Sequence, residues 1–130
     1  MSANDIPPDL RYTNDHEWLR PGEARCTVGI TRFAVEQLGD ITLVDLPAEG
    51  DLVTKGQRFG TIESVKSVSD LYAPVSGKVL RINPDLKDRP ELVNEDCYGG
   101  GWMVELEPSE TIELAELLDA SGYAALTAEA

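Results

Sequence analysis

Short β-prone runs separated by turn residues make up most of the chain. Residues 10–13 (LRYT), 16–20 (HEWLR), 24–30 (ARCTVGI), 41–46 (ITLVDL), 77–83 (GKVLRIN) and 102–108 (WMVELEP) read as strands. Pro21 and Gly22 turn the second run into the third, and PAEGD closes the fourth. Two segments break the pattern. In TRFAVEQLG, Thr31 is suited to an N-cap, Phe33, Ala34 and Leu38 share one side and Gly39 stops the turn, which predicts a short helix. The C-terminal run from Ser109 sets Leu114, Leu117 and Leu118 at helical spacing, with Glu110 and Glu113 placed where a helix dipole favours acids. PELVN reads as a helical turn and GGGW as a glycine turn that admits Trp102 to the core. The expectation is a mainly β chain with one short helix in its first half and a helical extension, from about residue 109, packing an apolar stripe on a sheet.

The stretch TIESVKSVSDLYAPVSGKV, residues 61–79, changes parity. Ile62 lies on the even face of its run, whereas Leu71, Ala73 and Val75 occupy odd positions. Alternation cannot switch faces without a turn or bulge, and the switch falls between Ser64 and Ser69. That places Lys66 near the tip of a β-hairpin. A helix competes, because Glu63, Lys66, Ser67 and Asp70 fall at i, i+3, i+4 and i+7. The β-branched Thr61, Ile62, Val65 and Val68, with Gly60 before and Pro74 after, favour the hairpin. An exposed tip lysine makes a poor Schiff-base nucleophile, since nothing there depresses its pKa. It fits another protein's active site well. The residues alone leave two readings, a surface lysine kept for solubility or an attachment point for a group delivered by a modifying enzyme.

Charge and composition remove other classes. With 24 acidic against 11 basic residues the net charge is -13, a surface that nucleic acid and anionic membranes repel. No run approaches the roughly 20 apolar residues of a membrane span, and the N-terminus lacks the pattern of a signal peptide. A cytoplasmic protein is expected, and 130 residues suffice for a single domain with its own core. Cys26 and Cys97 stand far apart with one histidine in the chain, so buried free thiols are expected and no metal site. His16 has no visible nucleophile to serve, and Ser64 with Lys66 is not read as a Ser-Lys dyad, since nothing near the tip depresses the lysine pKa. GGGW lacks the GK[ST] ending of a phosphate loop. Trp18 and Trp102 read as packing residues.

The run IESVKSVSDLYAPVSGKV resembles the lipoyl-lysine hairpin of the glycine cleavage H-protein family. HEWLR, TVGIT, LGD, VDLP, PELVN, GGW and a Glu/Leu-rich C-terminal segment with a Tyr-bearing tail follow the family's order over essentially the whole chain. Biotin carriers, which share the architecture, are expected to carry Met on both sides of the lysine, where Val65 and Ser67 stand. Lipoyl domains of 2-oxo acid dehydrogenase transacylases usually have Asp-Lys-Ala at the tip and lack HEW. The resemblance implies a barrel-sandwich hybrid of two small antiparallel sheets, with lipoic acid covalently attached to Lys66 and no catalytic residue. It implies a shuttle that takes an aminomethyl group from a pyridoxal-phosphate glycine decarboxylase (the P protein) to a folate-dependent aminomethyltransferase (the T protein). Dihydrolipoamide dehydrogenase (the L protein) then reoxidises the arm, and lipoyl-attaching enzymes load it at the start. It also implies that Glu17 and Asp70 hold the ammonium of the loaded arm, against the alternative of ordinary solvated acids; where relatives often carry a small hydroxyl two residues before that Glu, this chain has Asp15. Two other functions stay open on sequence: an H-like donor that passes lipoyl groups to other proteins, and an unmodified β-sandwich interaction module.

Overall fold

A computed structural model of the protein describes residues 6–110 and 112–128. The strands are β1 (Arg11–Tyr12), β2 (Glu17–Pro21), β3 (Cys26–Ile30), β4 (Ile41–Asp45), β5 (Leu52–Val53), β6 (Arg58–Ser64), β7 (Val68–Tyr72), β8 (Gly77–Ile82) and β9 (Val104–Pro108). Helices α1 (Arg32–Leu38), α2 (Asp85–Asp88), α3 (Leu92–Glu95), α4 (Ile112–Ala115) and α5 (Ala120–Ala128) fill the connections and the C-terminal segment. A six-stranded antiparallel sheet in the order β1-β2-β3-β9-β8-β5 faces a three-stranded one, β4-β6-β7. The expected mainly β pair of antiparallel sheets is what the chain forms.

Strand β2 is buried on both faces, which explains why EWL does not alternate apolar with polar. Leu19 joins Val28, Ile30, Ile62, Leu71 and Val79 in the main core between the sheets. Trp18 faces the other way, into a second cluster with Leu10, Tyr12 and Tyr123. Its cross-strand partner is Gly29, where an added Cβ would lie 2.6 Å from the indole; glycine there leaves the ring its space. The indole N–H, taken out of water, donates to the Cys97 carbonyl at 2.9 Å. Cys26 and Cys97 are both buried, and burial pushes the Cys26 thiol up to about 12.

Helix α1 begins as its sequence predicts: Thr31 Oγ1 accepts from the Ala34 N–H, and Gly39 ends the helix at φ +79°. Its buried residues are Val35 and Leu38, whereas Phe33 stays half-exposed against the His16 ring at 4.6 Å. The C-terminal segment departs from a continuous helix. Leu118 exchanges backbone hydrogen bonds with Tyr12 at 2.8 and 2.9 Å, which takes that residue out of helical geometry. Asp119 then starts α5 afresh, its carboxylate accepting from Gly122 N at 2.8 Å. The strand expected over 16–20 starts one residue late because His16 sits at φ 70°. Trp102 is half-buried at the edge of the second cluster, with the Arg81 guanidinium 5.3 Å from its ring centroid. Among the described residues no helix is long and apolar enough to cross a membrane.

Candidate functional site

Strands β6 and β7 pair from Arg58↔Tyr72 to Glu63↔Val68, so the parity change predicted between Ser64 and Ser69 is a hairpin turn with Val65 and Lys66 at its tip. Neither tip residue adopts positive φ, and the Asn-Gly chemistry of the tightest turns is replaced by a serine. Ser64 Oγ accepts from the backbone N–H groups of Lys66 and Ser67, each at 3.2 Å. Ser64 N donates to Ser67 O at 2.8 Å, and Val65 N donates to Asp40 O at 3.0 Å, which ties the tip to the end of α1. Asn94 of α3 braces that end, donating to Gly39 O and accepting from Ile41 N, both at 2.8 Å.

Lys66 is exposed and, among the described residues, forms no ion pair. Its stem crosses Gly39, where an added Cβ would stand 3.2 Å from Lys66 Cε in a backbone conformation that disfavours side chains anyway. The turn is thus hydrogen-bonded through its backbone, and the Lys66 side chain lies over a glycine and is open to solvent.

Beside the hairpin a cleft of about 270 Å³ opens between the free edge of β7, the start of β2 and α1. Glu17 and Asp70 both line it, together with Asp15, His16, Tyr72 and Leu38. Lys66 stands outside the lining, four residues or about 13 Å of extended chain from Asp70. The two acids differ sharply. Asp70 is exposed at the mouth, with Oδ1 3.9 Å from the Arg58 guanidinium and Oδ2 accepting from the Tyr72 hydroxyl at 3.4 Å. Both contacts are long and solvated, so they hold the carboxylate weakly. Glu17 is only 2% exposed. Sharing the core-facing side of β2 with Leu19, it reaches across to the other sheet, where Oε2 accepts from Tyr72 N at 3.2 Å; Thr13 Oγ1 donates to Oε1 at 2.7 Å. Thr13 supplies the hydroxyl that Asp15 cannot, from four residues before Glu17.

Burial pushes the Glu17 carboxyl up to about 8, against the lowering effect of the bonds from Thr13 and Tyr72, with Asp15 adding to the rise. Loss of solvation thus outweighs two hydrogen bonds and shifts the carboxyl toward its neutral form. An ammonium entering the cleft supplies the opposite charge that favours the ionised form. The same shift makes a stability prediction. Because the folded pKa lies above the unfolded 4.5, the stabilisation from protonated Glu17 is complete below about 4.5 and is lost as pH rises through about 8, with a slope of at most about 1.4 kcal/mol per pH unit. Denaturant midpoints at about pH 5, 7 and 9 are expected to fall for the parent and to fall less for Glu17→Gln, whose amide cannot titrate and whose single oxygen can still accept from Tyr72 N.

A model of the glycine cleavage H-protein family matches residues 10–130. This chain belongs to the glycine cleavage H-protein family. It is 52% identical over 125 residues to the glycine cleavage system H protein of Anaeromyxobacter sp. (strain K), covering 96% of this chain and 98% of the relative. It is likewise 52% identical over 130 residues to that of Mycolicibacterium vanbaalenii, covering 97% and 99%. Among solved structures, a glycine cleavage system H protein from Mycobacterium marinum superposes with a TM-score of 0.85 at 42% identity, over 95% of this chain and 99% of that one. H-proteins carry a covalent lipoyl-lysine and are carriers, not catalysts.

Sequence reasoning named Lys66, Glu17 and Asp70 but missed three groups that contact or brace them in the structure. Gly39 was legible only as a helix stop, and its second task depends on where the hairpin folds. Asn94 acts across 55 residues, beyond any local signal. Thr13, at i−4 from Glu17, was visible as a hydroxyl near an acid, though nothing local gave its direction.

Proposed function

We propose that Lys66 is the lipoyl attachment point of this H-protein and that the cleft lined by Glu17 and Asp70 receives the loaded arm. As a family member the chain is the non-catalytic shuttle of glycine cleavage, served by the P, T and L proteins. The observation that carries the assignment to Lys66 is its position: an unpaired lysine at a braced hairpin tip beside an acid-lined cleft. When bound to Lys66, the lipoyl group would supply a disulfide able to accept the aminomethyl group and two electrons together, leaving a dithiol for reoxidation once the group is passed on. The chain's own residues do the rest. Ser64, Val65 and Asn94 fix the tip, Gly39 gives the stem a path, and the fixed anchor keeps the group at high local concentration near each partner's active site. Asp70 meets an incoming ammonium at the mouth, and Glu17 gains its charge partner inside, where water is scarce and the attraction is strong.

The whole chain acts as one carrier domain in the cytoplasm. A surface of net charge -13 suits it to basic entrances on protein partners and not to nucleic acid or membranes. Of the four lysines, Lys55, Lys78 and Lys87 have no role in attachment. A chain with all three changed to Arg is therefore expected to take up one lipoyl group from a lipoyl-attaching enzyme at the parent rate. Loss of uptake in that variant, with its fold intact, overturns the assignment.

A further inference from the structure

Tyr123 lies in α5, more than a hundred residues from the start of β2, yet its fully buried hydroxyl touches two segments that line the cleft. It stands 2.8 Å from His16 Nδ1 and 2.7 Å from Thr31 Oγ1. His16 belongs to the Asn14–Glu17 wall, and Thr31 caps α1, which contributes Ala34, Gln37 and Leu38 to the wall beside it. Stacking on Tyr12, with ring centroids 4.6 Å apart and planes within 8°, fixes the phenol ring.

Hydrogen-bond counting gives this cluster a direction. Thr31 Oγ1 accepts from the Ala34 N–H at 3.3 Å, so the threonine's own proton needs another acceptor. At 0% exposure water cannot serve, and the phenol oxygen is the neighbour that can. The phenol then donates its proton to His16 Nδ1. The chain runs Ala34 N–H to Thr31 to Tyr123 to His16, with every buried donor satisfied. In the opposite sense, with a proton on Nδ1, Tyr123 donates to Thr31 and the threonine proton is stranded.

We propose that Tyr123 is a positioning residue for the arm cleft: its hydroxyl ties the two walls together and holds His16 as the neutral tautomer protonated on Nε2. The proposal rests on the reading of the cleft as the arm's shelter. The surroundings agree with a neutral imidazole. Burial holds His16 below the usual histidine range against the opposing pull of Asp15. From the other elements around the cleft, Glu17, Asp70 and Tyr72 are the titratable groups, and burial first keeps the Tyr123 phenol protonated, up to about 12. The positive φ of His16 is a further conformational cost that the hydroxyl's grip offsets.

Because the chain has a single histidine, side-chain nitrogen NMR of the full-length protein, ¹⁵N-labelled, reads this cluster alone. The parent at neutral pH is expected to carry its imidazole proton on Nε2; a proton on Nδ1 overturns the proposal with no variant needed. In Tyr123→Phe, which keeps the stacking surface, the two tautomers are expected to mix, and the backbone amides of residues 14–17 and 34–38 to shift together. Thr31→Ser, which keeps the hydroxyl, is expected to retain the parent tautomer. The aminomethyl-loaded Tyr123→Phe protein should decay about two- to tenfold faster than the parent, the span of one lost neutral hydrogen bond. An unchanged tautomer in Tyr123→Phe overturns the proposal. So does parent-like decay in Tyr123→Phe while a Glu17→Gln, Asp70→Asn variant decays faster, an outcome that leaves the shelter standing. Equal decay in all three proteins overturns the shelter reading itself.

Discussion

Lys66→Ala is expected to fold like the parent and to carry nothing. The side chain is exposed, forms no ion pair among the described residues and contributes no hydrogen bond to the turn, whose tip is held by Ser64 and by the Val65 backbone. Its removal should change stability by no more than about 0.5 kcal/mol. Glycine-dependent carbon transfer in a reconstituted P, T and L system should fall to the level seen without the carrier, because no other group can take the arm's place. Lys66→Arg should behave in the same way, since its guanidinium keeps the charge but is not acylated. The assay is exchange of labelled bicarbonate into glycine beside a denaturant curve; activity in a folded Ala variant contradicts the attachment point.

The second large effect belongs to the cleft. A Glu17→Gln, Asp70→Asn protein should accept lipoyl on Lys66 and pass through reduction and reoxidation of the empty arm at parent rates, steps that bring no cation into the cleft. Its loaded form should release ammonia and formaldehyde faster when the transferase is absent. Hydrogen bonds to charged groups are worth about 1.5 to 3 kcal/mol, which corresponds to an order of magnitude or more in residence. Glutamine at position 17 can still accept from Tyr72 N through its one carbonyl oxygen, so β7 keeps its cover, while the ionisable group and the acceptor for the Thr13 hydroxyl are removed together. Mass spectrometry of purified loaded protein follows the decay, and equal rates return both carboxylates to ordinary acids.

How much of this was legible in the sequence depends on how far each cause reaches along the chain. The hairpin was legible because alternation must switch faces between Ile62 and Leu71, and strand pairing leaves one place for the switch. Helix α1 was legible in its caps, yet Phe33, placed on one side with Ala34 and Leu38, is half-exposed, because the β2–β3 pairing brings the His16 ring beside the start of the helix as its surface partner. The C-terminal leucines have helical spacing, and a local rule carries the helix through Leu118. Backbone pairing with Tyr12, more than a hundred residues away, breaks it there. The site divides along the same line. Lys66, Glu17 and Asp70 were named from ordered motifs, whereas Gly39, Asn94, Thr13 and Tyr123 act through contacts that exist only once the sheets have closed. Glu17 was expected as a charged group; two-sided burial of β2 instead pushes its carboxyl up to about 8.

The most direct test of the central claim is peptide mapping by tandem mass spectrometry of the protein purified from its own host. The account predicts a lipoyl group on Lys66 and on no other lysine. A lipoyl group on Lys55, Lys78 or Lys87, or an unmodified Lys66 throughout the population in cells actively cleaving glycine, contradicts it.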